Sequence, residues 1–489
     1  MKLSALIAGM EVLSSRETKD VEITGINRDH RAVKRGDLFV CVSGFRVDGH
    51  DYLAGALENG AAAVVVSRDD ISVSPEVPVI QVANSRDALA FLSARFYADP
   101  SKRFKLVGIT GTKGKTTTAY MVRSIAKQAG YRTGLIGTIE VCIEDEVAKA
   151  TETTPESLDL QRLFSRMVEK DVNFVAMEVS SQGLALDRVK YSDFDIAVFS
   201  NLYRDHISAI EHRDMVEYLE AKLKLFDMGK TGIANADSDV FDQVKHRAGA
   251  HFLTYAIDRE ADVRATQIKT LRSGSRMAVR FYAQTPWFQD WIEVGLPGKY
   301  NVYNALAAIA VSGICGIPAE SIKAGLKDVK VRGRVEPVNA GQDFTVLVDY
   351  AHNAASLESL FEMLKAYEYG TLITVFGCGG DRAKDRRFDM GEVSGKHADL
   401  TIITSDNPRT EDPDAIMADI ESGIRRTQGK YVKIADREAA IRYALETAKE
   451  GDLVLIAGKG HETTQTFQDK VIHFDDVEVA NKQLNDIRG

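Results

Sequence analysis

Val107 to Thr118 reads VGITGTKGKTTT: a short apolar run, then Gly111, Gly114, Lys115 and Thr116, then a helical pattern. Glycines in such a loop let backbone N–H groups curl around phosphate oxygens. A lysine adds a point charge, a threonine hydroxyl reaches a magnesium ion, and the helix N-terminus turns its positive dipole end to the anion. The stretch predicts a cradle for the phosphates of ATP or GTP. Ile109 stands where the full G-x-x-x-x-G-K-[ST] pattern has its first glycine, and the bland alternative is an ordinary glycine-rich turn. Strand, loop, Lys-Thr and helix in that order favour the phosphate site. Other polar residues follow apolar runs: NFVAMEV carries Glu178 near its end, ahead of Ser180, Ser181 and Gln182, and DIAVFSNL leads through Asn201 into Arg204, Asp205 and His206. At the carboxyl ends of parallel strands these residues would flank the loop, with Glu178 and His206 where a nucleotide-bound magnesium would sit.

Positioning such a site takes an α/β framework, and the chain supplies one. Up to about Asp99, strand-like runs (DLFVCVSG, AAAVVVS, VPVIQV) alternate with turn signals and a helical piece from Tyr52 to Asn59. Pro100 and SKRFK read as a hinge. Next come FKLVGIT, a helix over Thr116 to Gly130, TGLIGTI, a helix over Ser157 to Lys170, NFVAMEV and DIAVFSNL. After Gly333 the alternation restarts with TVLVDYA, LITVFG, LTIITSD, helices including Arg437 to Lys449, and DLVLIAG. Alternation of this kind implies mainly parallel sheets covered by helices. Three domains are expected, over 1–99, 100–332 and 333–489, the central one of P-loop type and the last Rossmann-like. Gly377, Gly379 and Gly380 do not form G-x-G-x-x-G and read as a tight strand-to-helix turn.

A formal charge of −9 over 489 residues, with no Lys/Arg-rich block, argues against a nucleic-acid partner and points to a small-molecule substrate. No apolar run reaches membrane-spanning length, and Glu11 interrupts an N-terminus that lacks a clear cleavage site for a signal peptide. Cys41, Cys142, Cys315 and Cys378 are too scattered for a zinc pattern or a disulfide framework. A cytoplasmic, monomeric enzyme without membrane insertion is the expectation.

TGTKGKTTT, TETTPES from Thr151, MEVSSQGL, NLYRDH, EAKLKLF from Glu220, KYNVYNALAA, VDYAHN, GCGGDR, SDNPRTEDP and AGKGHE follow one another in an order that resembles the Mur ligases. These ATP-dependent enzymes extend the peptide of the bacterial cell-wall precursor, and the resemblance covers essentially the whole chain. It is strongest to the branch that adds the third residue to UDP-N-acetylmuramoyl-L-Ala-D-Glu. The resemblance implies ATP and Mg2+ as cofactors and a uridine nucleotide held by the N-terminal domain through His30, Phe45, Arg46 and Val47. It places the phosphates on Gly111, Thr112, Lys113, Gly114, Lys115, Thr116 and Thr117, and magnesium on Thr116, Glu178, His206 and Lys222. It puts the sugar-peptide near Thr153, Thr154, Ser181 and Arg188, and gives the rest of the nucleotide Asn301, Asn304, Arg334, Asp349, Tyr350 and His352. Lys222 aligns with a lysine that the family carbamylates: CO2 turns an ammonium into an anion able to ligate magnesium. Catalysis is thereby assigned to Lys115, Lys222, Glu178 and His206. The sequence departs from the family pattern at His30, usually serine, at Gln182, at Ser208 and Ile210, and at Asn353-Ala354, where Thr-Pro is common.

The implied reaction joins meso-diaminopimelate to the D-Glu side carboxylate of the UDP-N-acetylmuramoyl-dipeptide through an acyl phosphate, with ATP cleaved to ADP and phosphate. Arg409, in Asn407-Pro408-Arg409, is the expected discriminator, because a guanidinium matches the far carboxylate that lysine lacks. Arg387, Asn407, Gly458 and Glu462 would grip the rest of that head group. The bland alternative pairs Arg409 with Glu411 or Asp412 on the surface. Rival readings are a lysine-adding ligase of the same type, a folylpolyglutamate or cyanophycin-type ligase, and a non-enzymatic nucleotide switch.

Overall fold

A computed structural model describes residues 1–16, 19–44, 47–205, 207–208, 211–249, 251–273 and 276–488. The chain forms two compact units. The first comprises Met1–Arg264, Thr285–Trp287 and Leu306–Gly325; the second comprises Ala265–Gln284, Phe288–Ala305 and Leu326–Gly489. Among the described residues no helix is long and apolar enough to cross a membrane.

The first unit contains two sheets. Near the N-terminus, Gly25–Asn27, Asp37–Val40, Ala63–Val66 and Val79–Gln81 pair in parallel, and Ser14–Arg16 closes one edge antiparallel. Asp37–Val40 and Ala63–Val66 are buried at every position, which is why Leu38–Val40 and Ala63–Val66 read as unbroken apolar runs rather than alternating ones. In the second sheet the phosphate-loop strand Lys105–Thr110 lies between Phe174–Glu178 and Phe194–Phe199, both parallel to it. Thr133–Ile136 extends one side, and Gly229–Asn235 with Phe252–Ala256 the other. Successive strands leave Lys105–Thr110 in opposite directions, so a crevice opens at its carboxyl end. Register fixes what faces it: Glu178 sits beside Ile109 and Phe199 beside Thr110.

The expected hinge is an anchored turn. Pro100–Arg103 is a short 3-10 helix with Pro100 and Ser101 buried, and Ser101 Oγ accepts from Asp193 N at 3.1 Å. Leu158 packs into the N-terminal core, and Arg86 meets Glu156 at 3.5 Å while Lys190 meets Asp87 at 2.6 Å.

In the second unit, Thr345–Asp349, Leu453–Ala457, Leu372–Phe376, Leu400–Ile403 and Tyr431–Lys433 run parallel in that order, with Glu336–Val338 antiparallel at one edge. Apolar clusters cover both faces. Antiparallel strands Arg276–Gln284 and Gln289–Val294 had no counterpart in the sequence reading. The glycines at 377–380 do not make a tight turn: Leu372–Phe376 ends well before the helix Asp385–His397. Their lack of Cβ makes room for the 407–409 segment, since a Cβ on Gly380 would collide with the Pro408 carbonyl and one on Gly379 would come 2.8 Å from Arg409 Nη1.

Candidate active site

Two glycines shape the phosphate loop. Gly111 has φ +141° and Gly114 φ +87°, conformations in the range that favours glycine; a Cβ on Gly111 would also collide with Ser200 Oγ. Asn201 clamps the loop, its Oδ1 accepting from Lys113 N at 2.9 Å and its Nδ2 donating to Lys113 O at 3.0 Å. Thr112 Oγ1 lies 3.1 Å from the Tyr218 hydroxyl and accepts from Tyr203 N at 3.0 Å. The helix Lys115–Gln128 starts directly at the loop, and Lys115 Nζ folds back onto the carbonyls of Gly111 and Thr112 at 2.9 and 3.0 Å. Thr116 and Thr117 are buried.

Glu178 is 1% exposed. Its Oε2 accepts from the Thr116 hydroxyl at 2.8 Å and the Thr138 hydroxyl at 3.1 Å, and its Oε1 from Thr138 N at 2.8 Å. Thr138 also meets Thr153 at 3.0 Å, and Thr154 Oγ1 donates to the Glu178 carbonyl at 3.1 Å. A hydroxyl and a carboxylate held together beside a phosphate loop are the hard oxygen donors magnesium takes. His206 lies outside the described residues, as do Phe45, Arg46 and Ile210.

Lys222, on the helix Met215–Met228, is 1% exposed. Its Nζ donates to Gly111 O at 2.9 Å and sits 4.4 Å from the centre of the Tyr218 ring. Two lysines therefore converge on one carbonyl. Burial, and then the Lys115 charge, hold the Lys222 amine well below the usual lysine range against an opposing pull from Asp205, which favours the neutral, nucleophilic form.

Of the sugar-peptide candidates, Ser181 Oγ is 2.9 Å from Nε2 of buried His212. Arg188 is held by Glu152 at 2.6 Å, Glu156 at 2.9 Å and the Thr154 carbonyl at 2.9 Å. His30 stacks on Tyr52, with ring centres 4.6 Å apart, and Val47 is exposed. The departure at Asn353 has a local reason: its Oδ1 accepts from Ser356 N at 2.9 Å and caps the helix Ala354–Leu364.

In the second unit, Asn301 and Asn304 are buried and joined, Asn304 Nδ2 donating to Asn301 Oδ1 at 3.0 Å while Asn301 Nδ2 donates to Pro297 O at 2.7 Å. The Arg334 guanidinium lies 4.8 Å over the Tyr350 ring, which His352 and His461 flank at 4.7 Å each. Asp349 accepts from Val335 N and Ala351 N, both at 2.8 Å; burial pushes its carboxyl up and the His352 imidazole down.

Asn407 Nδ2 donates to Glu462 Oε2 at 2.8 Å, and Gly458, at φ +110°, clears the Asp406 carboxylate. Arg387 is 1% exposed, with Nη2 on Glu411 at 2.7 Å and Nη1 on Asp419 at 3.0 Å. Glu411 thus serves Arg387 rather than Arg409, and Asp412 caps the helix Pro413–Ile424. Arg409, at φ +53°, donates from Nη1 to Gly380 O at 2.6 Å and has no carboxylate partner among the described residues. The sequence reading missed Thr138, Tyr218, His212 and Lys459. Thr138 follows the TGLIG strand end and Lys459 lies inside AGKGHE, signals that were present; burial of Tyr218 and His212 left none.

Three family models match in succession: "Mur ligase family, catalytic domain" over 22–97, "Mur ligase middle domain" over 109–312 and "Mur ligase, glutamate ligase domain" over 333–460. A protein of Caldanaerobacter subterraneus subsp. tengcongensis named UDP-N-acetylmuramoyl-L-alanyl-D-glutamate--2,6-diaminopimelate ligase is 46% identical, covering 99% of this chain and 99% of that one. A Bacillus velezensis protein of the same name is 45% identical at the same coverage. A solved structure bearing that ligase name superposes with a TM-score of 0.74 at 28% identity, covering 100% of this chain and 99% of the other. With a phosphate loop, a buried acid and a buried lysine in one crevice and these matches over its length, the chain belongs to the Mur ligase family.

Proposed function

We propose that this chain is the ATP-dependent ligase that joins meso-diaminopimelate to the D-Glu side carboxylate of UDP-N-acetylmuramoyl-L-Ala-D-Glu, in the cytoplasmic synthesis of the peptidoglycan precursor. The observation that carries the reading is the convergence of Lys115, Lys222 and the Thr116–Glu178 pair on one phosphate loop. A nucleotide switch needs the loop but has no use for a buried, deprotonation-prone lysine beside it. The relatives' shared name supports the amino acid. The same reading divides the chain into a UDP-sugar domain over 1–99, an ATP domain over 100–332 and an amino-acid domain over 333–489, in keeping with three mainly parallel sheets.

A carboxylate is a poor acyl donor. In the proposed reaction the D-Glu oxygen takes the γ-phosphoryl group, ADP leaves, and the neutral amine attacks the resulting acyl phosphate; the C–N bond forms, phosphate departs with the C–O bond electrons, and the proton lost by the amine leaves with it. Lys115 holds positive charge over the loop, and its backbone N–H groups and helix N-terminus orient the phosphates. Thr116 and Glu178 fit Mg2+, which when bound would offset charge on the phosphoryl oxygens, and the same reading gives His206 and a carbamylated Lys222 as its further ligands.

Specificity rests on Arg409, two residues along the chain from Asn407, whose guanidinium donates to Gly380 O and has no carboxylate partner among the described residues. Wild type is expected to use diaminopimelate and to reject L-lysine by roughly three orders of magnitude or more in kcat/KM, since lysine leaves the arginine unmatched. Arg409→Ala is expected to lose about a hundredfold or more with diaminopimelate. Equal use of lysine by wild type, or unchanged use of diaminopimelate by the variant, overturns this assignment.

A further inference from the structure

We propose that Lys459 is a positioning residue that aims Glu462 and Asn407 at the ammonium of the incoming amino acid's far stereocentre. The inference rests on the reading of those two residues as receivers of that head group.

Lys459 follows the strand Leu453–Ala457 and lies between Gly458, at φ +110°, and Gly460, at φ +52°. Left-handed glycines on both sides turn the chain sharply, and the lysine side chain is fully buried. A buried ammonium is costly unless its three donors are met. Here Nζ donates to Thr464 O at 2.7 Å and to Asn407 Oδ1 and Glu462 Oε2 at 3.3 Å each. Asn407 Nδ2 also donates to Glu462 Oε2 at 2.8 Å, so lysine, amide and carboxylate form a closed triangle.

The triangle fixes two orientations. Asn407 Oδ1 faces two donors, Lys459 Nζ and Thr466 N at 3.0 Å, so its amide presents Nδ2 to the carboxylate. Glu462 Oε2 takes both donors, from Asn407 and Lys459. The other oxygen, Oε1, has no hydrogen-bond partner among the described residues, and the side chain is one-third exposed. One face of the carboxylate is thus satisfied from within the protein, and the opposite oxygen is presented to a ligand ammonium. A lysine that only stapled its own loop to Thr464 would need that carbonyl and nothing from Glu462.

The test compares kcat/KM for diaminopimelate with that for L-2-aminopimelate, which keeps both carboxylates but lacks the far ammonium. The ratio is internal to each preparation, so a change in the folded fraction cancels. Wild type is expected to favour diaminopimelate strongly. Lys459→Met is expected to shrink that preference at least tenfold, with KM for ATP and for the UDP-dipeptide within about twofold of wild type. Lys459→Gln, read by the same ratio, serves if the methionine variant yields no active protein, and should also shrink it. Lower activity at an unchanged ratio means that Lys459 is only a staple and overturns the inference. A wild type with no preference for diaminopimelate overturns the underlying assignment of Glu462 instead.

Discussion

Lys222→Ala is expected to lower ligation by at least about three orders of magnitude while leaving a folded protein. Lys222 is enclosed with its amine on the Gly111 carbonyl and over the Tyr218 ring, and burial and Lys115 hold its pKa down. An amine attacks CO2 only as the free base, forming an N–C bond and releasing a proton. A folded-state pKa below the ordinary lysine value keeps that base present at lower pH than for an exposed lysine. The proposed carbamate would be an anion beside the phosphate loop, where an ammonium would instead add to the charge of Lys115. Because removing a buried amine also removes a group that is costly to desolvate, the fold tolerates the change better than the chemistry does. Initial rates and thermal melts of Lys222→Ala check both halves, and a short-chain carboxylate in solution should restore part of the activity by filling the vacated space. Full activity in this variant contradicts the assignment.

Glu178→Ala should reduce turnover by about two to four orders of magnitude, the range that several kcal/mol of lost transition-state stabilisation produces. The carboxylate accepts from Thr116, from the Thr138 hydroxyl and from Thr138 N, so the alanine also strands three donors and some stability will be lost. Glu178→Gln separates the two effects, keeping the shape but not the charge. Its magnesium half-saturation should rise well above that of wild type while its melting temperature stays close. His206→Ala should show the same signature. Near-normal turnover at ordinary magnesium in either position removes that residue from the metal site.

Locality decided which parts of this arrangement could be read from sequence. The phosphate loop is a contiguous word whose glycines, lysine and threonine act within one turn of chain, and Glu178 is marked by the end of an apolar run. Lys222 is different: in EAKLKLF it looks like any solvated helical lysine, and its burial against Gly111 depends on a contact across more than a hundred residues. Only the family resemblance pointed to it. The glycines at 377–380 were read as a tight turn because their real constraint, the Pro408 carbonyl and the Arg409 guanidinium, comes from a distant loop. Arg387 and Arg409 look equivalent as sequence, yet one is locked by Glu411 and Asp419 and the other has no carboxylate partner among the described residues. Lys459 lies inside AGKGHE, yet nothing about a lysine between glycines announces a fully buried amine.

The most direct measurement incubates the purified protein with ATP, magnesium and UDP-N-acetylmuramoyl-L-Ala-D-Glu, adding meso-diaminopimelate, L-lysine or L-ornithine in separate reactions, and follows phosphate release together with product mass. The account predicts rapid phosphate release only when the UDP-dipeptide and diaminopimelate are both present, with a product heavier by one diaminopimelate less water. Phosphate release that ignores the UDP-dipeptide, or a product carrying lysine or ornithine at a comparable rate, contradicts it.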